Sequence, residues 1–231
     1  MKLQKETKAG RVVHGKWYDD ACGTAFGMEL LGERWSLLVV RELMFGPRRF
    51  SDLRASLPGI SAKVLTERLA TLEDAGVLTR AKLPPPVSAR VYELTRWGYA
   101  AEPLIQEIGR WAAMSSGHDP ALPLSPVSFM LSLRTMFDPV KAAGMAATIG
   151  FAIADQHFVA RLADGALPVE RADPRGADAV FAAPAAPVLA GLFYGGVPAR
   201  ELERDAGLRI EGDRALALRF AEIFELPAPM A

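Results

Sequence analysis

Apolar residues recur at helical spacing through the first half of the chain and at a spacing of two through much of the second. Leu65, Leu69 and Leu72 share one narrow face at about 100° per residue, while Lys63, Thr66, Glu67 and Ala70 point away from it. Ser61 stands ahead of them as an N-cap, its hydroxyl able to accept from the first free backbone N–H groups. A helix is therefore predicted from Ser61, packed on one side and bare on the other, and Gly76 ends it. Before it, Phe50 to Leu57 predicts a short helix closed by Pro58-Gly59. Trp35 to Phe45 carries a core stripe of Trp35, Leu38, Val39 and Leu43 with Arg34 and Arg41 outside, and Gly46-Pro47 stops it. Asp20 to Leu31 is helical in pattern, though interrupted by Gly23 and Gly27. Val77 to Leu83 and Arg90 to Leu94 are strand-like around a turn at Pro84 to Ala89. Thr95 caps a last helical stretch in which Pro103 introduces a kink or a break.

Helix, tight turn, second helix and hairpin make a winged helix-turn-helix. Its bare face predicts readout of DNA bases by Ser61, Ala62, Lys63, Thr66 and Glu67. Arg48 and Arg49 ahead of the short helix, and Arg80, Lys82 and Arg90 on the hairpin, are the candidates for phosphate contact. Charge changes this picture a little. The chain has 27 basic and 27 acidic residues. Up to His118 the balance is 17 against 13, and from Asp119 it is 10 against 14. The half with the helix-turn-helix pattern is the basic one, as a phosphate-contacting half should be.

Four motifs in order, Gly32-Glu33-Arg34-Trp35 through Leu43, Gly46-Pro47-Arg48-Arg49-Phe50 through Leu53, Leu57-Pro58-Gly59-Ile60-Ser61 and Val64-Leu65-Thr66-Glu67-Arg68-Leu69, closely resemble the HxlR-type bacterial transcriptional regulators. The resemblance covers about Asp20 to Met114. It implies a homodimer bound to double-stranded operator DNA. Apolar surface left over on so small a domain assigns Ala101 to Met114 and the Asp20 to Leu31 helix to the dimer interface, and the single cysteine is consistent with a reducing cytoplasm. It also places Cys22 where some regulators of this type carry a cysteine that senses oxidants or electrophiles. Such sensing needs a lowered thiol pKa, and the neighbouring Asp19 and Asp20 are expected to raise it.

Residues 1–15 are polar and basic and are expected to form a flexible arm, 16–114 the DNA-binding and dimerisation domain, 115–126 a linker, and 127–231 a second domain. In this last part Val127, Phe129, Leu131 and Leu133 alternate with Ser128, Met130, Ser132 and Arg134, which predicts a strand. Further strands are expected around Ile149 to Ile153, in a hairpin turning at Asp164-Gly165, at Ala179 to Phe181 and at Leu208 to Glu211. Helices are expected at Pro187 to Tyr194, Pro198 to Ala206 and Asp213 to Phe224. An antiparallel sheet with helices on one face is α+β. The order of elements, with Glu211-Gly212-Asp213 leading into the last helix, is similar to the sterol carrier protein 2 fold. That resemblance implies a hydrophobic small-molecule ligand, for which Phe129, Phe151, Phe181 and Phe193 are candidate lining residues. His157, Tyr194 and Arg134 are the candidate polar contacts.

Other classes find little support. One cysteine excludes an intramolecular disulfide. No apolar run reaches the ~18 residues that a membrane-spanning helix needs. His14, His118 and His157 are not spaced as metal ligands, no phosphate-binding glycine loop follows a strand, and Cys22 has no base near it in sequence, so no enzyme, metal or cofactor is expected. The alternatives to a ligand-controlled regulator are a carrier of hydrophobic ligands that uses the first domain only to dimerise, and a regulator switched through Cys22.

Overall fold

The computed structural model describes residues 18–82, 89–120 and 122–230. The expected basic arm and the wing tip from Pro84 to Ser88 lie outside them. The first part runs α1 (Gly23–Leu31), α2 (Ser36–Glu42), α3 (Phe50–Ser56), α4 (Ala62–Asp74), β1 (Leu78–Lys82), β2 (Arg90–Leu94), α5 (Arg96–Tyr99) and α6 (Glu102–Ala113). The second runs α7 (Pro126–Thr135), β3 (Ala147–Ile153), β4 (Gln156–Leu162), β5 (Val169–Glu170), β6 (Ala179–Ala183), α8 (Ala186–Phe193), α9 (Ala199–Asp205), β7 (Arg209–Gly212) and α10 (Arg214–Ala221).

In the first part the leucine spacing does what it predicts. Leu65, Leu69 and Leu72 are fully buried against Val39, Val40, Leu43 and Leu53. Gly59, at φ +89°, makes the turn between α3 and α4 in a conformation that a side chain disfavours. β1 and β2 pair antiparallel from Leu78 opposite Leu94 to Lys82 opposite Arg90. Pro103 breaks rather than kinks its helix, and sits in the first turn of α6 where its missing N–H costs nothing.

The second part contains a five-stranded sheet of order β5-β4-β3-β6-β7. It is mixed rather than antiparallel, because β3 and β6 run parallel from Ile149 opposite Ala179 to Ile153 opposite Ala183. The predicted strand at Val127 to Leu133 is instead α7. Ser125 caps it through the Ser128 N–H at 3.0 Å, and Pro126 takes its first position. The alternation misleads because this helix is buried nearly all round: Met130 is as inaccessible as Phe129, and Ser128 is 8 % exposed.

Helix α7 packs against α2 and α6 of the first part and α8 of the second. Its cap, Ser125, donates to the buried Glu42 carboxylate at 2.7 Å. Arg134 on α7 pairs with Glu102 on α6 at 2.8 Å. Phe45 meets Phe158 of β4 edge to face at 5.7 Å. Buried side chains of both parts thus form one continuous cluster. The stretch read as a linker runs directly into this contact.

Candidate nucleic-acid interface

Helix α4 is fixed at its start by Ser61, whose hydroxyl accepts from the Val64 N–H at 3.2 Å, and along its length by three buried leucines. Ser61, Ala62, Lys63, Thr66 and Glu67 are left exposed together on the opposite face. The Thr66 hydroxyl donates back to the Ala62 carbonyl at 2.9 Å. Arg68, at the edge of this face, pairs with Glu33 at 3.2 Å. An exposed face on a rigid helix with the polar residues grouped toward its N-terminal end is the geometry by which a recognition helix meets base edges.

Around it the basic residues divide. Lys82 and Arg90 are exposed cross-strand neighbours on the hairpin, so two positive charges stand side by side next to the wing tip. Arg80 lies two pairs further in. Its guanidinium is taken up by Glu73 at 2.9 Å and stacks over Tyr92 at 5.7 Å, which leaves it less free to grip a phosphate. Arg49 is exposed at the cap of α3.

Arg48 corrects the sequence expectation. Its main chain bridges to β2: its N–H donates to the Tyr92 carbonyl at 3.0 Å, and the Tyr92 N–H donates to its carbonyl at 2.8 Å. Successive residues of extended backbone face opposite ways, so Arg49 outside places Arg48 inside. Only 8 % exposed, Arg48 bonds to Gln156 of β4 at 3.0 Å and to Ser56 at 3.3 Å. Its side chain is taken up by the second part of the molecule and by α3.

The residues expected to line a ligand tunnel pack on one another instead. Phe193 lies within 6.2 Å of five other rings, among them Phe129 at 5.4 Å and Phe181 at 5.2 Å. Phe151 stacks on Phe181 at 5.6 Å. The Tyr194 hydroxyl is bonded to Ser132 at 2.8 Å, and Arg134 is engaged by Glu102. His157 is exposed, on the sheet face opposite its neighbour Phe158. These rings are core.

Cys22 is exposed at the start of α1. Its thiol is lowered below the ordinary range, chiefly by the backbone N–H groups of Ala25 and Thr24 and by the Thr24 side chain, which favour the thiolate. This reverses the expectation from Asp19 and Asp20: the local hydrogen bonds decide it, and Asp20 is itself occupied in accepting from the Cys22 N–H at 2.9 Å.

What reasoning from sequence missed are the groups that join the parts. Glu42, fully buried, accepts from its neighbour Arg41 and from Ser125 83 residues away. On the far side, the Gln156 side-chain oxygen accepts from both Arg48 and Arg171. A buried glutamate inside the apolar stripe Val39 to Leu43 was the one signal available.

Reading helix, supporting helix and basic wing define a winged helix-turn-helix DNA-binding protein. The HxlR-like helix-turn-helix family model matches residues 30–119. The HTH-type regulator YvaP of Bacillus subtilis (strain 168), itself uncharacterised, is 41% identical over 85 residues, which is 37% of this chain and 79% of that protein. YodB, an HTH-type transcriptional regulator of the same organism, is 41% identical over 83 residues, covering 36% of this chain and 74% of its own. The solved reduced form of YodB from B. subtilis is 35% identical, with a TM-score of 0.39, over 43% of this chain and all of that one. The chain belongs to the HxlR-like helix-turn-helix family. Its relatives are transcriptional regulators, not enzymes.

Proposed function

We propose that the protein is a dimeric operator-binding regulator that lays α4 in the major groove and its hairpin along the adjoining backbone. The observation that carries this reading is the exposed face from Ser61 to Glu67 on a helix locked from behind. Lys82, Arg90 and Arg49 supply phosphate contacts that position it. The second subunit is supported by the apolar surface of α1 and α6, neither of which has a fully buried residue: Met28, Leu104 and Ile108 are exposed, and Trp111 is 71 % exposed. Two reading helices spaced one DNA turn apart, about 34–36 Å, multiply the specificity of one. The second part supplies the input. Its element order, with Gly195-Gly196 behind α8 and Glu211-Gly212-Asp213 ahead of α10, supports the likeness to the sterol carrier protein 2 fold.

The test is operator binding by fluorescence anisotropy, using DNA selected by the protein from fragments of its own genome. Lys63→Glu is expected to lower the affinity about 30- to 150-fold, as a lost contact worth ~2–3 kcal/mol implies. An unchanged affinity would refute α4 as the reading helix.

A second reading, switching through Cys22, is favoured by one observation, the exposed and acidified thiol. Iodoacetamide should then alkylate Cys22 faster at pH 7.5 than it does a cysteine in an unstructured peptide, and the product should release operator DNA. Ordinary alkylation kinetics, or full DNA binding after modification, removes this reading.

A further inference from the structure

Between the two parts lies a cleft of about 700 Å³, within the range of small-molecule sites. One wall is α3 with its flanking turns; the other is the approach to α7, the turn between β3 and β4, and Arg171. Two guanidinium groups meet in this cleft. Arg48 and Arg171 both donate to the side-chain oxygen of Gln156, at 3.0 and 3.1 Å. Arg48 also reaches Ser56 and the Asp52 carbonyl, and Arg171 reaches the Phe45 carbonyl at 3.4 Å with its plane over the Phe158 ring at 4.7 Å.

Every one of those partners is neutral. Among the described residues no carboxylate pairs with either arginine. Asp52, Asp155 and Glu42 act on Arg171 only from a distance, and Glu42 is already engaged by Arg41 and Ser125. One terminal nitrogen of Arg171 is buried and unbonded. Burial first, and the adjacent Arg48 second, push the Arg171 pKa down to about 10 against the opposing pull of Glu42, Asp155 and Asp52, the last two of which also line the cleft. Two neighbouring guanidiniums on the wall of one cleft form a seat for a carboxylate. Beyond them the wall turns apolar, with Trp35, Leu38 and Leu57. Trp35 is held there at φ +82°, a strained conformation for a residue with a large side chain.

We propose that this cleft binds a small organic carboxylate. The carboxylate is held between Arg48 and Arg171, and the apolar body lies against Trp35 and Leu38. Arg48 is bonded through its main chain to the wing and through its side chain to α3, so a ligand that draws it across the cleft acts on both halves of the DNA-binding surface. This second step rests on the regulator reading; the binding site itself does not.

The experiment is isothermal titration of the full chain with benzoate and with octanoate at constant ionic strength made up with chloride, with inorganic phosphate in parallel. Saturable uptake of one carboxylate per chain is expected. It should weaken at least tenfold in Arg171→Gln and in Ala55→Phe, which narrows the cleft from the exposed side of α3 and so still reports if Arg171→Gln fails to fold. No saturable binding of either carboxylate, equal binding of phosphate, or undiminished binding in Ala55→Phe overturns the site. Operator affinity with and without saturating benzoate then tests the coupling, and an unchanged value overturns it. Failure to bind operator both with and without benzoate, while benzoate is still taken up, counts against the regulator reading and leaves the site standing.

Discussion

The two parts of the molecule spend their large apolar side chains in opposite ways. In the second, six phenylalanines from α7, β3, β6, α8, α10 and the turn after α10 close on one another around Phe193. In the first, α1 and α6 leave methionine, leucine, isoleucine and tryptophan at the surface, and α4 keeps a whole face bare. The contrast teaches that exposure, rather than composition, separates a part built to meet other molecules from one that completes itself. A cluster of aromatics is not evidence of a tunnel, and a mostly apolar helix is not evidence of a core.

Three substitutions press on this contrast. The largest effect belongs to the closed part: Phe193→Ala should cost about 3–5 kcal/mol of stability in urea unfolding, because the rings around it cannot collapse into the space. A loss under about 1 kcal/mol would mean that the cluster is loose and that the tunnel deserves another look. Next, Trp111→Asp should leave the fold intact and raise the dimer dissociation constant at least thirtyfold in sedimentation equilibrium, in keeping with a hot-spot aromatic worth ~2 kcal/mol or more. A stable monomer with its wild-type sequence would put that surface to another use. The smallest effect is Lys82→Gln, which should lower affinity about equally for every DNA sequence and reduce the slope of log affinity against log salt by about one per subunit. A change in sequence preference instead would make the wing a base reader.

The reading surface was legible in sequence because its determinants are local: a capping serine, leucines three and four apart, and a Pro-Gly turn. The positions of the five strands were legible for the same reason, down to the hairpin at Asp164-Gly165, though not the sheet's mixed pairing. What was not legible depends on contacts distant in sequence. Helix α7 hid because a helix covered on all sides needs no polar face, and its serines are satisfied within the molecule, Ser128 by the Ser125 hydroxyl and Ser132 by the Phe129 carbonyl and the Tyr194 hydroxyl. Arg48 looked like a phosphate contact because nothing near it in sequence announces Gln156, 108 residues further on. The parallel pairing of β3 with β6 was invisible because strand direction is set by the path of the connections, not by the strands.

One helix belongs to both parts, and this matters as the chain leaves the ribosome. The reading helix and wing are synthesised before α7, so for the seconds that translation of the next residues takes the seat that α7 will occupy on α2 and α6 is wet, with Glu42 hydrated instead of capped by Ser125. That seat therefore stays uncovered until the second part is made, and a stop codon placed between the two parts would leave it bare for good.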